Sequence, residues 1–206
     1  MTAPCKVAAI VLAAGRSTRF VRNKMIEPID GEAMVGRVVR VAIASGGDPV
    51  IVVTGYEATR VAEALQGLDV RVVHNPAYEE GLSTSLRAGI RAVPPDNDGA
   101  LILLGDMPGV QAREIGMLLA AFAAAGRDAI CVPVKNGRRG NPVLWGAAYF
   151  TEMMAVSGDV GAKELLARHA DKVCEVQVES NGIFADVDTS KDLDAIRMEG
   201  GQNGLP

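Results

Sequence analysis

The sequence predicts a three-layer α/β sandwich of Rossmann-like type, in which helices cover both faces of a mostly parallel sheet. Short β-branched apolar runs alternate with Ala- and Leu-rich stretches of helical spacing through nearly all of the 206 residues. A chain of that length that is 49% hydrophobic can bury a substantial core. Polar, Gly-containing segments follow the ends of the apolar runs, where the ligands of such sheets bind.

The first apolar run, residues 7–12, reads as a buried strand. It breaks into Leu12-Ala13-Ala14-Gly15-Arg16-Ser17-Thr18-Arg19-Phe20, with Lys24 close behind. Small residues let the backbone approach an anion, and Gly15 takes backbone angles closed to other residues. Ser17 and Thr18 add hydroxyl donors, while Arg19 and Lys24 bring two positive charges to the same place. The combination suits a nucleoside triphosphate, although an ordinary βα loop can also carry Gly and Arg. Neither a Walker G-x-x-x-x-G-K-(S/T) nor a dinucleotide G-x-G-x-x-G occurs. Further runs at 50–54, 70–74, 100–104, 129–132 and 173–178 read as strands, and 34–44, 58–65, 83–92, 113–124 and 162–168 as helices. Strand and helix in turn means a parallel sheet covered on both faces. Residues 1–198 form one expected domain, and the Gly-rich tail 199–206 is expected to be disordered.

Bulk properties narrow the ligand class. A net charge of −4 and a pI near 5.3 argue against broad binding to nucleic acid or anionic membrane, so local basic residues point to a small anionic ligand. Aromatic residues, at 4%, are too few for a base-stacking platform. Cys5, Cys131 and Cys174 are odd in number and far apart, which makes neither a disulfide framework nor a zinc site and fits a reducing cytoplasm. No apolar run approaches the ~20 residues a bilayer span needs.

Gly105-Asp106-Met107-Pro108 follows the run 100–104, placing a carboxylate at a strand end where it can reach a hard cation such as Mg²⁺. A turn-forming Asp explains the same residues. A second carboxylate is available in Asp186-Val187-Asp188-Thr189-Ser190-Lys191-Asp192, where Thr189 or Ser190 with Asp192 also reads as a helix start. Between Asn75 and Leu86, Gly81 permits close approach and Ser83, Thr84 and Ser85 offer hydroxyls at a helix start. In Arg138-Arg139-Gly140-Asn141-Pro142-Val143, Arg139 can bind a phosphate through two parallel hydrogen bonds. His74 and His169 stand apart from one another and from cysteine, and carry no assigned role.

Taken together, these segments resemble the signatures of the MobA-like nucleotidyltransferases over Leu12 to Leu193. The first loop is similar to L-A-(A/G)-G-x-S-x-R-(M/F) followed by Lys, with Val21 where the family usually has Gly. Asp106 lies in a G-D-x-P, and Asn75 to Leu86 matches N-P-x-x-x-x-G-x-x-x-S-L. Arg138 to Trp145 is similar to G-x-R-G-H-P-V-L-(F/W) with Asn141 in place of His, and Asp159 lies in a G-D-x-G-(A/R). The resemblance implies a nucleotide-diphospho-sugar transferase type of fold. It implies nucleotide binding by Leu12, Ala13, Ala14, Gly15, Arg16, Ser17, Arg19, Lys24, Gly81, Ser85 and Asp106. Catalysis would fall to Arg19, Lys24 and Asp106, acceptor binding to Arg139, Gly140, Asn141 and Pro142, and Mg²⁺ to Asp106 and Asp188, with Asp186 as the substitute.

The pattern is most similar to the molybdenum cofactor cytidylyltransferases, because Ala14 stands where guanylyltransferases typically have Gly. The implied reaction transfers CMP from CTP to the terminal phosphate of molybdenum-bound molybdopterin and releases pyrophosphate. A molybdenum hydroxylase or its chaperone is the implied partner. A 4-diphosphocytidyl-methylerythritol synthase-like activity and a non-catalytic molybdenum-cofactor accessory role stand as alternatives.

Overall fold

A computed structural model of the chain describes residues 5–16, 22–158 and 163–202. Its organising element is β1 (Val7–Ala13), buried along its whole length. Side chains alternate across a strand, so β1 serves two cores at once. Val7, Ala9, Val11 and Ala13 enter one apolar cluster and Ala8, Ile10 and Leu12 the other.

After β1 the chain forms a small hairpin of β2 (Pro28–Ile29) and β3 (Glu32–Ala33), then α1 (Met34–Ala44), β4 (Val50–Thr54), α2 (Ala58–Glu63) and β5 (Arg71–His74). It continues through α3 (Leu82–Ala92), β6 (Gly99–Leu104), α4 (Ala112–Ala125), β7 (Ile130–Lys135), β8 (Arg138–Arg139) and β9 (Val143–Gly146). The last elements are α5 (Phe150–Ala155), α6 (Lys163–Arg168), β10 (Val173–Gln177) and α7 (Ser190–Gln202). Among the described residues, the main sheet has the order β10-β7-β9-β6-β1-β4-β5, with β8 paired to β7. Residues from α1, α2 and α4 fill the first core, with Val38, Val61 and Leu118 at their centres. Residues from α3, α5 and α6 fill the second, including Leu86, Met153 and Leu165.

The mostly parallel α/β class predicted from the sequence is the one observed, with an antiparallel insertion. Strand β9 lies between β6 and β7 and runs antiparallel to both, pairing Val143 with Ile102 and Leu144 with Cys131. Its four residues are all buried, but a run so short after Gly-Asn-Pro gives little periodicity to read. The β2–β3 hairpin turns at Asp30-Gly31, both with positive φ (51° and 83°), as a tight two-residue turn requires. Helix α7 runs to Gln202, so residues 199–202 are helical where composition led us to expect disorder; residues 203–206 lie outside the described residues. Its first turn is pinned by a third cluster, in which Val187 and Leu193 pack on Ile29 and Met34. Among the described residues no helix is long and apolar enough to cross a membrane.

Candidate active site

The carboxyl ends of β1 and β6 lie side by side, since the Gly105 N–H donates to the Leu12 carbonyl at 2.9 Å. Beyond β1 the chain passes through Ala14, Gly15 and Arg16; Ser17 and Arg19 lie outside the described residues. The Ala14 carbonyl accepts the Tyr56 N–H at 3.1 Å, fixing the start of the loop against the end of β4. Arg16 is exposed and pairs with Glu79 at 2.8 Å. Binding a nucleotide through Arg16 would mean exchanging a surface partner of the kind worth about 0–1 kcal/mol.

Lys24 is aimed by a residue that sequence reading missed. Buried Asn23 accepts the Met25 N–H (3.1 Å) through its side-chain oxygen and donates to the Tyr56 carbonyl (3.2 Å), capping the 3-10 turn Lys24–Ile26. From that turn the Lys24 Nζ reaches Asp106 Oδ2 at 2.8 Å and Asp188 Oδ1 at 3.3 Å, and donates to the Val187 carbonyl at 2.8 Å. A backbone bond from the Val187 N–H to the Asp106 carbonyl, 2.9 Å, ties the two acidic segments together. Three residues singled out in the sequence, separated by up to 164 positions, thus meet at one point.

The segment 188–192 serves two purposes. Asp192 Oδ2 accepts the N–H of Asp188 (3.1 Å), the N–H of Thr189 (2.7 Å) and the Thr189 hydroxyl (2.9 Å), capping α7. These bonds, the Thr189 hydroxyl foremost, hold the Asp192 carboxyl below the usual range. Asp192 is therefore the capping acid, and Asp188 is left to turn toward Lys24. Asp186 is exposed on the rim of the neighbouring pocket.

The donor set fits a small divalent cation. Asp106 Oδ1 is buried and has no hydrogen-bond partner, an arrangement that costs free energy unless a cation or water satisfies the oxygen. Mg²⁺ takes few protein carboxylates and completes its shell with phosphate oxygens and water, so Asp106 and Asp188 are enough. Among the described residues no group of three or more His, Cys, Asp or Glu is placed to hold a metal.

A pocket of about 490 Å³ opens beside this cluster. Leu12, Leu86, Ile102 and Trp145 give it an apolar wall, while Ser83, Arg138, Arg139, Gly140 and Asn141 supply its polar groups. The Gly140 and Asn141 N–H groups are held by the Pro133 and Ile183 carbonyls, each at 2.9 Å. Arg139 pairs with Glu175 at 2.8 Å, and the Arg138 guanidinium stacks 4.5 Å above the Phe184 ring. Gly81 (φ 107°) precedes α3 with backbone angles that favour glycine. Ser85, however, accepts a hydrogen bond from Asn75 at 3.0 Å, and Ser83 is the hydroxyl that lines the pocket.

Comparison with known proteins decides the family. Residues 9–173 match the MobA-like NTP transferase domain. The chain belongs to that family of nucleotidyltransferases. Among relatives of this MobA-like transferase, the molybdenum cofactor cytidylyltransferase of Escherichia coli is 26% identical over 190 residues, covering 89% of this chain and 92% of that protein. The bifunctional protein GlmU of Sorangium cellulosum is 32% identical over 133 residues, 61% of this chain but 28% of that protein. The chain spans between 28% and 38% of the GlmU relatives it matches. In three dimensions it is similar to a nucleotidyl transferase from Methanothermobacter thermautotroptrophicus, with a TM-score of 0.85, 25% identity and coverage of 97% and 99% of the two chains. Rv0371C of Mycobacterium tuberculosis H37Rv, solved in complex with manganese, is 27% identical with a TM-score of 0.78, over 95% of this chain and all of that one.

Cys131, Cys174 and His169 of this MobA-like transferase have structural surroundings. Cys131 lies opposite Cys174 across β7 and β10, and burial first, then its neighbour, pushes its thiol up to about 12. His169 contacts Glu152 at 3.0 Å and packs edge-on against Tyr149.

Proposed function

We propose that this transferase moves CMP from CTP to the terminal phosphate of molybdenum-bound molybdopterin. The observation that carries the reading is the meeting of Lys24, Asp106 and Asp188 at the carboxyl ends of β1 and β6, next to a pocket with an apolar wall and an arginine-bearing rim. The likeness to the Escherichia coli molybdenum cofactor cytidylyltransferase, over 89% of this chain and 92% of that protein, is what suggests this donor and acceptor.

An oxygen of the acceptor phosphate would form a bond to the α-phosphorus of CTP while the bridging α–β P–O bond breaks, and the electron pair leaves with pyrophosphate. Asp106 and Asp188 would hold Mg²⁺, which neutralises charge on the phosphates when bound. That the Mycobacterium tuberculosis neighbour was solved in complex with manganese supports the choice of a divalent ion. Lys24 and Arg19 would stabilise the leaving pyrophosphate, and no protein nucleophile is required. Leu12 to Ser17 with Gly81 and Ser83 would surround the nucleotide, while Arg139 to Pro142 would hold the acceptor. The product would pass to a molybdenum hydroxylase or its chaperone in the cytoplasm.

The test is pyrophosphate release from each of the four nucleoside triphosphates, with and without molybdenum cofactor. Release from CTP that depends on the cofactor is the expected result. Release that instead depends on a methylerythritol phosphate would replace the acceptor assignment. No release under any pairing, with cofactor still bound, would favour an accessory role.

Base choice gives a further prediction. Ala14 is buried at the start of the loop, and Ala14→Gly removes one methyl that we assign to the base pocket. The variant should accept GTP more readily, and the CTP:GTP ratio of kcat/KM should fall by about tenfold, within the ~1–3 kcal/mol that one methylene typically discriminates. An unchanged ratio would remove Ala14 from base selection.

A further inference from the structure

Lys24 does more here than wait for a phosphate. Its ammonium, with a side chain only 10% exposed, is held by the Val187 carbonyl at 2.8 Å and paired with both carboxylates, at 2.8 Å and 3.3 Å. We propose that Lys24 guards the cation site: without nucleotide it engages the same two carboxylates that a divalent ion needs, and the phosphates of an arriving nucleoside triphosphate draw it away. This rests on the reading of Asp106 and Asp188 as the cation's ligands.

Like charges a few ångströms apart in a poorly solvated site repel strongly, so an ammonium on Asp106 opposes a second cation there. The Lys stem is flexible and its charge is compact, so it can change partners without moving the backbone turn that the Asn23 side chain fixes. Binding of nucleotide and of metal must then strengthen one another, because the coupling between two ligands is reciprocal. The arrangement would favour metal loading with nucleotide present over loading of the empty enzyme.

The experiment is titration of the nucleotide-free protein with Mn²⁺, read by water-proton relaxation, which separates protein-bound ion from free and CTP-bound ion. Lys24→Gln and Lys24→Met should bind Mn²⁺ at least fivefold more tightly than wild type. CTP should tighten Mn²⁺ binding to wild type by a larger factor than to Lys24→Gln. Lys24→Gln keeps a donor for the Val187 carbonyl, so the comparison stands even where the Met variant fails to fold. Equal Mn²⁺ affinity in wild type and the folded Lys24 variants would overturn the guard. Undiminished Mn²⁺ binding by Asp106→Asn would overturn the cation reading itself, an outcome distinct from the first.

Discussion

Asp106→Asn is expected to lower kcat/KM by at least about 10²- to 10³-fold, or about 3–4 kcal/mol of transition-state stabilisation, while the protein stays folded. The effect is large because the change removes charge from the Oδ1 oxygen, which is buried without a partner, and from the Oδ2 oxygen that faces Lys24 at 2.8 Å. The fold survives because the backbone carbonyl of Asp106, which accepts the Val187 N–H, is unchanged and the amide keeps the shape of the carboxylate. Asp188→Asn should act in the same direction. Asp186→Asn should remain within a few fold of wild type, since Asp186 lies on the pocket rim. Steady-state kinetics with Mg²⁺, alongside thermal unfolding, provides the check. Full activity of Asp106→Asn would remove the metal assignment, and a loss confined to Asp186→Asn would move the second ligand to that residue.

That contrast could be framed from the sequence because the informative parts of this fold are local. Strands β1, β4 and β6 are continuous apolar runs, and such runs identify buried parallel strands without knowledge of the partners. Lys24, Asp106 and Asp188 each follow a recognisable local signal. Their convergence depends on contacts across more than 160 positions, and no period or motif encodes that distance. What stayed hidden has similar causes. Strand β9 is four residues long and exists because β6 and β7 leave a slot between them. Arg139 is drawn to Glu175 by the packing of β10 beside β7, and Ser85 is turned to Asn75 by the approach of the 75–77 loop to α3. Two further signals are legible in the sequence. Asp30-Gly31 is a hairpin turn by composition alone, and Asn23 directly before Lys24 is a good cap residue.

Gly182→Ala should damage both stability and the site, although residue 182 carries no chemistry. A Cβ at Gly182 would stand 2.0 Å from the Gly109 carbonyl oxygen and 2.4 Å from its carbonyl carbon, and neither backbone atom can swing aside. The turn after β6 and the segment leading to α7 must therefore separate. Overpacking of this kind costs about 1–3 kcal/mol, which for a chain of this size lowers Tm by roughly 2–12 °C. The same separation strains two links that the cluster depends on: the Asn141 N–H to the Ile183 carbonyl, and the Val187 N–H to the Asp106 carbonyl, each at 2.9 Å. Asp188 then shifts relative to Asp106, so Mn²⁺ binding and turnover should fall by more than the fraction unfolded accounts for. Gly116→Ala is the control, because its Cβ would meet nothing within 4 Å in the exposed middle of α4. There the gain in helix propensity should be neutral or stabilising by up to about 1 kcal/mol. A Gly182→Ala protein with wild-type Tm and Mn²⁺ affinity would show that the contact between Gly109 and Gly182 does not set the position of Asp188.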